Sequence, residues 1–205
     1  MLYKTHKAAG VLACLVAFDV MRNSGQLAPD INEFVQLAII YPACSWASTA
    51  PDLDHALCNV KEQTPINILI NKILHIGKCT HRSVQTHSIL FTGGFCALLF
   101  GILALLGMYN LGFDKNSISI LRLMILGITF GVASHLIMDC LTTAGIWLVP
   151  KVKFRLVPNT TIFKTGGRWE DIIRVLVYIV IVYMCIHLTV RWCGFSLVVG
   201  SVPIL

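Results

Sequence analysis

Charged side chains are scarce in this chain. They make up 13% of its 205 residues, whereas 56% are apolar and the mean hydropathy is +0.76. Soluble domains carry about 25% charged residues, so this composition argues against a water-soluble domain and is typical of an integral membrane protein. In a membrane protein, the net charge of +6 reflects orientation and contact with anionic lipid. We therefore expect membrane lipid as a partner and no nucleic acid.

Several catalytic and targeting motifs are also absent. There is no H-E-x-x-H, nucleophile elbow or P-loop, and the P-S-G-H block of phosphatidate-type membrane phosphatases is missing. The eight cysteines include no C-x-x-C pair, so a disulfide framework is not expected. The N-terminal apolar run lacks a small-residue cleavage site, because Asp19 and Arg22 stand where one should be. We interpret this run as a retained first membrane span.

Long apolar runs dominate what is present. Each comes close to the roughly 20 residues that a membrane-crossing helix needs. Together they predict one all-α domain over residues 1–205, a polytopic membrane bundle of about five transmembrane helices. Besides the N-terminal run, the spans are residues 33–50, 88–109, 118–141 and 172–192.

Two further segments connect these spans. The stretch "TPINILINKILHIG" at 64–77 has apolar residues at helical spacing and Pro65 near its first turn, which predicts an interfacial amphipathic helix. The polar stretch 150–171 is punctuated by Pro and Gly and predicts a structured loop with a short hairpin. Of the 16 basic residues, 12 fall on the face that holds the N-terminus. The positive-inside rule makes this face cytoplasmic and places the N-terminus inside.

The residues that can bind a metal gather at this same face. They open or close four different spans. Hydrophobicity alone defines these spans, and Lys and Arg alone define the faces, so the gathering of His and Asp is an independent feature of the sequence. Histidine and carboxylate ligands suit Zn²⁺, with Mn²⁺ or Fe²⁺ as alternatives. The sequence thus predicts a metal centre at the cytoplasmic face. Its candidate ligands are His6, Asp52, Asp54, His55, His81, His87, His135 and Asp139.

Each part of this set has a plainer alternative. His135 and Asp139 are spaced i, i+4 and share one side of a helix, where they can bind a metal or form a satisfied polar pair. Ionisable groups within spans are costly and usually functional, which favours the metal. Asp52 and Asp54 share one side if the chain is extended, or they are solvated carboxylates at a helix end. His6, taken alone, is an interfacial residue.

These segments resemble the YdjM-like family, which is described as LexA-regulated, membrane-bound metal-dependent hydrolases. The matching elements follow the family's order, and they are "THKAAG" at 5–10, "PDLDH" at 51–55, "HRSVQTHS" at 81–88, "SHLIMDCLTTAGIWLVP" at 134–150, "KFRLV" at 153–157 and "TGGRWED" at 165–171. Gln85 makes the third element one residue longer than the family's H-R-x-x-T-H, and His87 is preferred to His81 as a ligand. The resemblance implies a protein of the bacterial inner membrane.

The family in turn is distantly similar to the zinc-dependent phospholipase C and single-strand nuclease fold. That resemblance implies an all-helical core in which His and Asp ligands gather a zinc cluster that cleaves phosphate esters. It implies a metal-dependent hydrolase acting on phosphoesters or phospholipids at the inner leaflet.

Catalytic roles follow from this hypothesis. Asp54, and after it Asp52, is the candidate to orient or deprotonate water. Arg82 and Arg155 are the candidates to bind the anionic group, although positive-inside topology alone also explains arginines here. The alternative function is a non-enzymatic membrane protein that binds or transports a metal. A transporter typically places ligands near the middle of the membrane in repeated halves, so ligands at one face without a visible repeat favour the enzyme.

Overall fold

The computed structural model describes residues 3–54, 64–77, 82–109, 112–158 and 160–193. Within these ranges the chain is mainly helical, as its composition predicts. The helices are α1 (Tyr3–Asn23), α2 (Glu33–Ala47), α3 (Pro65–Ile76), α4 (Ile89–Met108), α5 (Lys115–Cys140) and α6 (Arg168–Trp192). The strands β1 (Ile146–Val149) and β2 (Val152–Phe154) form an antiparallel hairpin, and 3₁₀ helices cover Ala50–Asp54 and Thr161–Phe163.

Side-chain caps fix where four of these helices begin. In each case an oxygen of the preceding residue accepts a backbone N–H from the first turn, which would otherwise lack a partner. Asn32 caps α2, Thr64 caps α3, Ser88 caps α4 and Asp114 caps α5. Each such cap stabilises a helix by about 1 kcal/mol. The cap at Ser88 also fixes the position of His87, the residue before it.

Helix α5 lies at the centre of the fold and packs against α1, α2 and α4, while α6 packs against α1. The largest apolar cluster includes Phe18 of α1, Ile40 of α2, Leu123 of α5 and Leu188 of α6. All four side chains are buried. The core therefore joins four helices that lie far apart in sequence.

Glycines on α5 allow an especially close approach to α2. Gly127 and Gly131 are spaced by four, as in the small-x-x-x-small pattern of membrane helix pairs. A Cβ at Gly127 would lie 2.8 Å from the carbonyl oxygen of Ile40. A Cβ at Gly131 would overlap the carbonyl oxygen of Cys44. The same helix face continues with His135 and Asp139 at further steps of four. The close approach of α5 to α2 therefore places His135 and Asp139 near the C-terminal end of α2.

Among the described residues, three helices are long and apolar enough to cross a membrane: α4, α5 and α6. They correspond to three of the five predicted spans. By contrast, α2 has 15 residues and a length of about 23 Å, which is less than the ~30 Å hydrocarbon core of a bilayer. The 21-residue α1 is also outside this group of three. The structure thus supports a helical membrane protein, with three helices able to form three of its predicted spans.

Helix α2 is shorter than the predicted second span, because it ends at Ala47 rather than at residue 50. After the cap at Ser48, the chain turns into the 3₁₀ helix Ala50–Asp54. Asp52 and Asp54 therefore lie in a tight helical turn and not in an extended segment. At the other end of the chain, α6 begins at Arg168, four residues before the predicted span. Glu170 and Asp171 in its first turn favour this start, since acidic residues stabilise a helix N-terminus.

Helix α3 is the helix predicted between the second and third spans, and Pro65 stands in its first turn. Its polar side chains hold it to the protein: Trp46 donates to Asn67 at 2.7 Å, and Asn71 donates to the Leu53 carbonyl. Ile66, Leu69 and Ile73 remain exposed. A helix docked by its polar residues with its apolar ones exposed suits a membrane surface.

The hairpin begins slightly earlier than predicted, at Ile146 instead of after residue 150. Ile146 pairs with Phe154, and Trp147 pairs with Lys153. The backbone N–H of Trp147 donates to the carbonyl of His87 at 2.9 Å. The hairpin is thereby fixed to the segment that leads into α4.

Candidate metal centre

Six predicted ligands converge at one end of the helix bundle. They come from the start of α1, the 3₁₀ helix after α2, the residue before the Ser88 cap, and the last turns of α5. Five are almost fully buried, and only Asp52 keeps some exposure, 21% of its side chain. The six are His6, Asp52, Asp54, His87, His135 and Asp139.

The potential ligand atoms have the spacing that a metal requires. His87 Nε2 lies 3.2 Å from His135 Nε2 and 3.4 Å from an Asp52 oxygen. His6 Nε2 lies 3.4 Å from an Asp139 oxygen, and His135 Nε2 lies 3.6 Å from the other one. Two tetrahedral ligands at ~2.1 Å from one ion are about 3.4 Å apart. The atoms form two groups that share His135, namely His6–Asp52–His135 and His87–His135–Asp139.

The ring of His135 is oriented as that of a metal ligand. Its Nδ1 lies 2.8 Å from the carbonyl oxygen of Ser48 at the end of α2. Because a carbonyl only accepts hydrogen bonds, Nδ1 carries the proton and Nε2 keeps a lone pair in the neutral ring. Metal-binding histidines commonly donate their second nitrogen in this way. His6 stacks on the same ring, with 3.9 Å between the centroids.

His6 shows why the cluster suits a bound cation. Both of its ring nitrogens are buried, and neither makes a well-directed hydrogen bond to a described residue, although Nε2 lies 3.4 Å from an Asp139 oxygen. Burying a polar atom without a partner costs about 1–3 kcal/mol. Coordination of a cation by Nε2 would remove this cost for that atom. The donor set of imidazoles and carboxylates therefore fits a divalent metal such as zinc.

The carboxylates on the partly exposed side of the cluster favour the binding of a positive charge. Burial alone would raise the pKa of Asp52, but the hydrogen bond to His87 and the nearby His135 and His6 hold it well below its usual range. For His87, burial lowers the pKa, but Asp52, Asp54 and Asp139 outweigh it and raise the value above the ordinary one. Asp52 is therefore ionised at neutral pH. The carboxylates attract a proton or a metal ion into the centre.

Asp54 points to a different side from the ligand atoms. Its Oδ2 accepts the backbone N–H of Arg82 at 3.0 Å and the hydroxyl of Thr86, and it lies 3.6 Å from Nδ1 of His87. The Thr86 hydroxyl also lies 2.9 Å from Nδ1 of His87. Asp54 and Thr86 thus hold the 82–87 segment and orient the ring of His87. This arrangement leaves Nε2 of His87 turned towards Asp52 and His135.

Arg82 is placed at the centre by a strained backbone. Its φ is 59°, a value that non-glycine residues adopt rarely and often at functional sites. Asp54 accepts from its N–H, and the indole of Trp147 donates to its carbonyl at 3.1 Å. Its Nη2 lies 3.4 Å from an Asp139 oxygen. Its Nη1 is buried and finds no hydrogen-bond partner in the described ranges, so this donor is left unsatisfied there.

Three further predicted residues are not among these six. Arg155 follows β2, and its guanidinium donates to the carbonyl of Thr143 at 3.4 Å instead of to the cluster. His55 and His81 lie outside the described residues. Their roles therefore stay predictions.

A buried contact beside His6 was not predicted. The hydroxyl of Thr5 donates to Glu170 Oε1 at 2.7 Å, and the N–H of Gly166 donates to Oε2 at 2.7 Å. Thr5 and Glu170 are both buried. They join the start of α1 to the start of α6 and so fix the backbone next to His6. The sequence feature that could have indicated this contact is Glu170, an acidic residue in the "TGGRWED" segment of a chain with few charges.

Comparison with known proteins agrees with the motifs. A family model described as YdjM inner membrane protein matches residues 1–198. The match covers nearly the whole chain and confirms the resemblance inferred from the sequence. No curated protein and no solved structure matches the chain.

Proposed function

This chain belongs to the YdjM inner membrane protein family, and we propose that it is a membrane-bound, metal-dependent hydrolase of phosphate esters. One observation carries the proposal. Ligand atoms of five residues face one another at 3.2–3.9 Å, and the buried Nη1 of Arg82 lacks a partner among the described residues. A cation site next to a guanidinium with an unsatisfied donor suits an anionic substrate.

The residues that would hold the cation are His6, Asp52, His87, His135 and Asp139. Zn²⁺ suits this set best, and Mn²⁺ or Fe²⁺ also accept imidazole and carboxylate ligands. Such an ion supplies Lewis acidity towards a phosphoryl oxygen and lowers the pKa of an attacking water.

The chain itself binds and orients the reactants. Asp54 and Trp147 fix the backbone of Arg82, and Asp139 holds its Nη2 at 3.4 Å. The guanidinium is thereby preorganised to bind a phosphoryl oxygen. Asp52 is the one partly exposed carboxylate of the cluster and lies on its accessible side. As an ionised group it accepts a hydrogen bond from the attacking water and orients it. Asp54 acts through His87 and Arg82, whose positions it fixes.

The two ends of the helix bundle carry different side chains, and this supports a specific membrane topology. The cluster joins the N-terminal end of α1, the C-terminal ends of α2 and α5, and the segment before α4. At the opposite end, Arg22 of α1 pairs with Glu33 of α2 at 3.2 Å, and Arg191 of α6 pairs with Asp19 at 3.2 Å. This alternation suits five membrane-crossing helices with the N-terminus and the metal centre on the cytoplasmic side.

Cysteine labelling tests this orientation. A reporter cysteine at Thr160 is expected to resist an impermeant thiol reagent added to intact cells, and one at Lys115 is expected to react. Both residues are exposed, but they lie on opposite faces in the proposed topology. The chain without a reporter gives the background from native cysteines. Labelling at Thr160 that matches labelling at Lys115 would refute the proposed orientation.

Metal analysis and substrate assays test the function. Protein purified in detergent is expected to contain bound Zn²⁺ or Mn²⁺ and to hydrolyse phosphodiesters, phosphomonoesters or phospholipids. A strong chelator should abolish the activity, and the metal should restore it. If activity survives chelation, the metal-dependent proposal is wrong. If metal binds but no ester is hydrolysed, the alternative of a metal-binding or metal-transport protein replaces it.

A further inference from the structure

An apolar groove of about 380 Å³ lies between α4, α5 and the hairpin. This volume falls in the roughly 300–1,000 Å³ range of ligand pockets. Its walls include Ile89 and Gly93 of α4, Leu136 and Cys140 of α5, and Phe154 of β2. The lining residues carry no charge, and the hydroxyl of Thr129 in the wall is bonded to its own helix at Ile125. The groove is therefore built for an apolar occupant.

Neighbouring residues of the chain line the groove and supply the metal ligands. Leu136 follows His135, and Cys140 follows Asp139. On the other wall, Ile89 comes two residues after His87. This end of the groove is therefore lined by residues that lie one or two positions along the chain from the ligands.

The surroundings of the groove indicate a lipid. Two of its walls, α4 and α5, are helices long and apolar enough to cross a membrane, and α4 is mostly exposed. The hairpin that forms the third wall also carries cations. Lys153 lies over the ring of Trp147 at 4.5 Å, and Trp147 donates to Arg82. An apolar slot beside cationic groups complements a phospholipid, which joins acyl chains to an anionic phosphate.

We propose that this groove binds an acyl chain of a membrane phospholipid, with the lipid phosphate placed at the metal centre. The identification of that lipid as the substrate rests on the proposed hydrolase function. The binding of an acyl chain in the groove does not require catalysis, so the two are tested separately.

The test fills the groove with a leucine. Gly93 lines the groove, and a Cβ there meets nothing within 4 Å, so the backbone accommodates Gly93→Leu and the new side chain starts from the groove wall. The neighbouring Gly94 also has open space around it but does not line the groove, so Gly94→Leu is a matched control at the same depth. Replacing a helical glycine by leucine improves helix propensity, and both variants should fold.

Binding is measured by mass spectrometry of phospholipid retained after purification in detergent. The unsubstituted chain and Gly94→Leu should retain a phospholipid that Gly93→Leu loses. Equal retention in all three proteins, or equal loss in both variants, would overturn the acyl-chain site. This readout does not depend on any activity.

Catalysis is measured with two substrates, a long-chain phosphatidylglycerol and a water-soluble phosphodiester. Gly93→Leu should lower kcat/KM for the phospholipid by about tenfold or more, since poor fit in an apolar pocket costs at least that much. It should leave the soluble ester unchanged, and Gly94→Leu should change neither. An equal fall on both substrates would overturn the groove as a substrate site. If the unsubstituted chain hydrolyses neither substrate, the hydrolase proposal fails, and lipid retention alone decides the acyl-chain site.

Discussion

Replacing His135 by alanine is expected to abolish metal binding and phosphoester hydrolysis together. His135 belongs to both potential metal groups, and its Nε2 lies 3.2 Å from that of His87. Loss of a residue that merely orients a ligand costs about 10–100-fold in metal affinity or activity, so loss of a shared ligand should cost well over 100-fold. Metal content and turnover of the purified variant provide the measurement.

His75→Ala is the matched control for this change. His75 is an exposed histidine on α3 and lies apart from the cluster, so its variant should keep both metal and activity. His135→Gln separates ligand loss from misfolding, because it keeps a polar side chain that can still bond the Ser48 carbonyl. Wild-type metal content in folded His135→Ala would show that the cluster is not the metal site.

The positions of the long apolar helices were largely predictable, because the hydrophobicity of a segment follows directly from its sequence. Residues 118–141 and 172–192 correspond closely to α5 and α6. The end of α2 was not predictable in the same way. Its last turn and the following 3₁₀ helix are set by packing against α5, where Gly131 meets the backbone of Cys44. Such tertiary contacts leave no trace in local hydropathy.

The sequence predicted which residues cluster, but it did not predict the different contacts that each of them makes. Asp52 and Asp54 would share one side only in an extended chain. In a 3₁₀ helix, with about three residues per turn, positions i and i+2 point in different directions. Asp52 therefore faces the histidines, while Asp54 faces Arg82 and Thr86. Only the backbone conformation could separate two carboxylates that stand two positions apart.

Long-range support around the site was also invisible in the sequence. The contact of Trp147 with Arg82 spans 65 positions, and that of Thr5 with Glu170 spans 165. Both involve residue types that are usually assigned to packing or capping. Their roles appear only when the hairpin and α6 are placed next to the cluster.

Replacing Arg82 by alanine is expected to reduce phosphoester turnover by about 10²–10³-fold, the usual cost of removing one preorganised donor to a developing negative charge. Bound metal should remain, because the ligand atoms come from histidines and aspartates and not from Arg82. Arg82→Lys should be intermediate, since lysine keeps the charge but cannot bind a phosphate with a planar fork. Metal content and turnover are measured on the same preparations.

Arg155→Ala distinguishes this role from simple positive-inside topology. Arg155 lies on the same proposed face, but its guanidinium bonds the Thr143 carbonyl and not the cluster. If arginines act only through orientation, the two alanine variants should behave alike, and both should keep full turnover once purified. If Arg82 binds the substrate phosphate, only its own variant loses turnover. Parallel loss of metal in Arg82→Ala would instead assign Arg82 to the integrity of the centre, because its guanidinium lies 3.4 Å from Asp139.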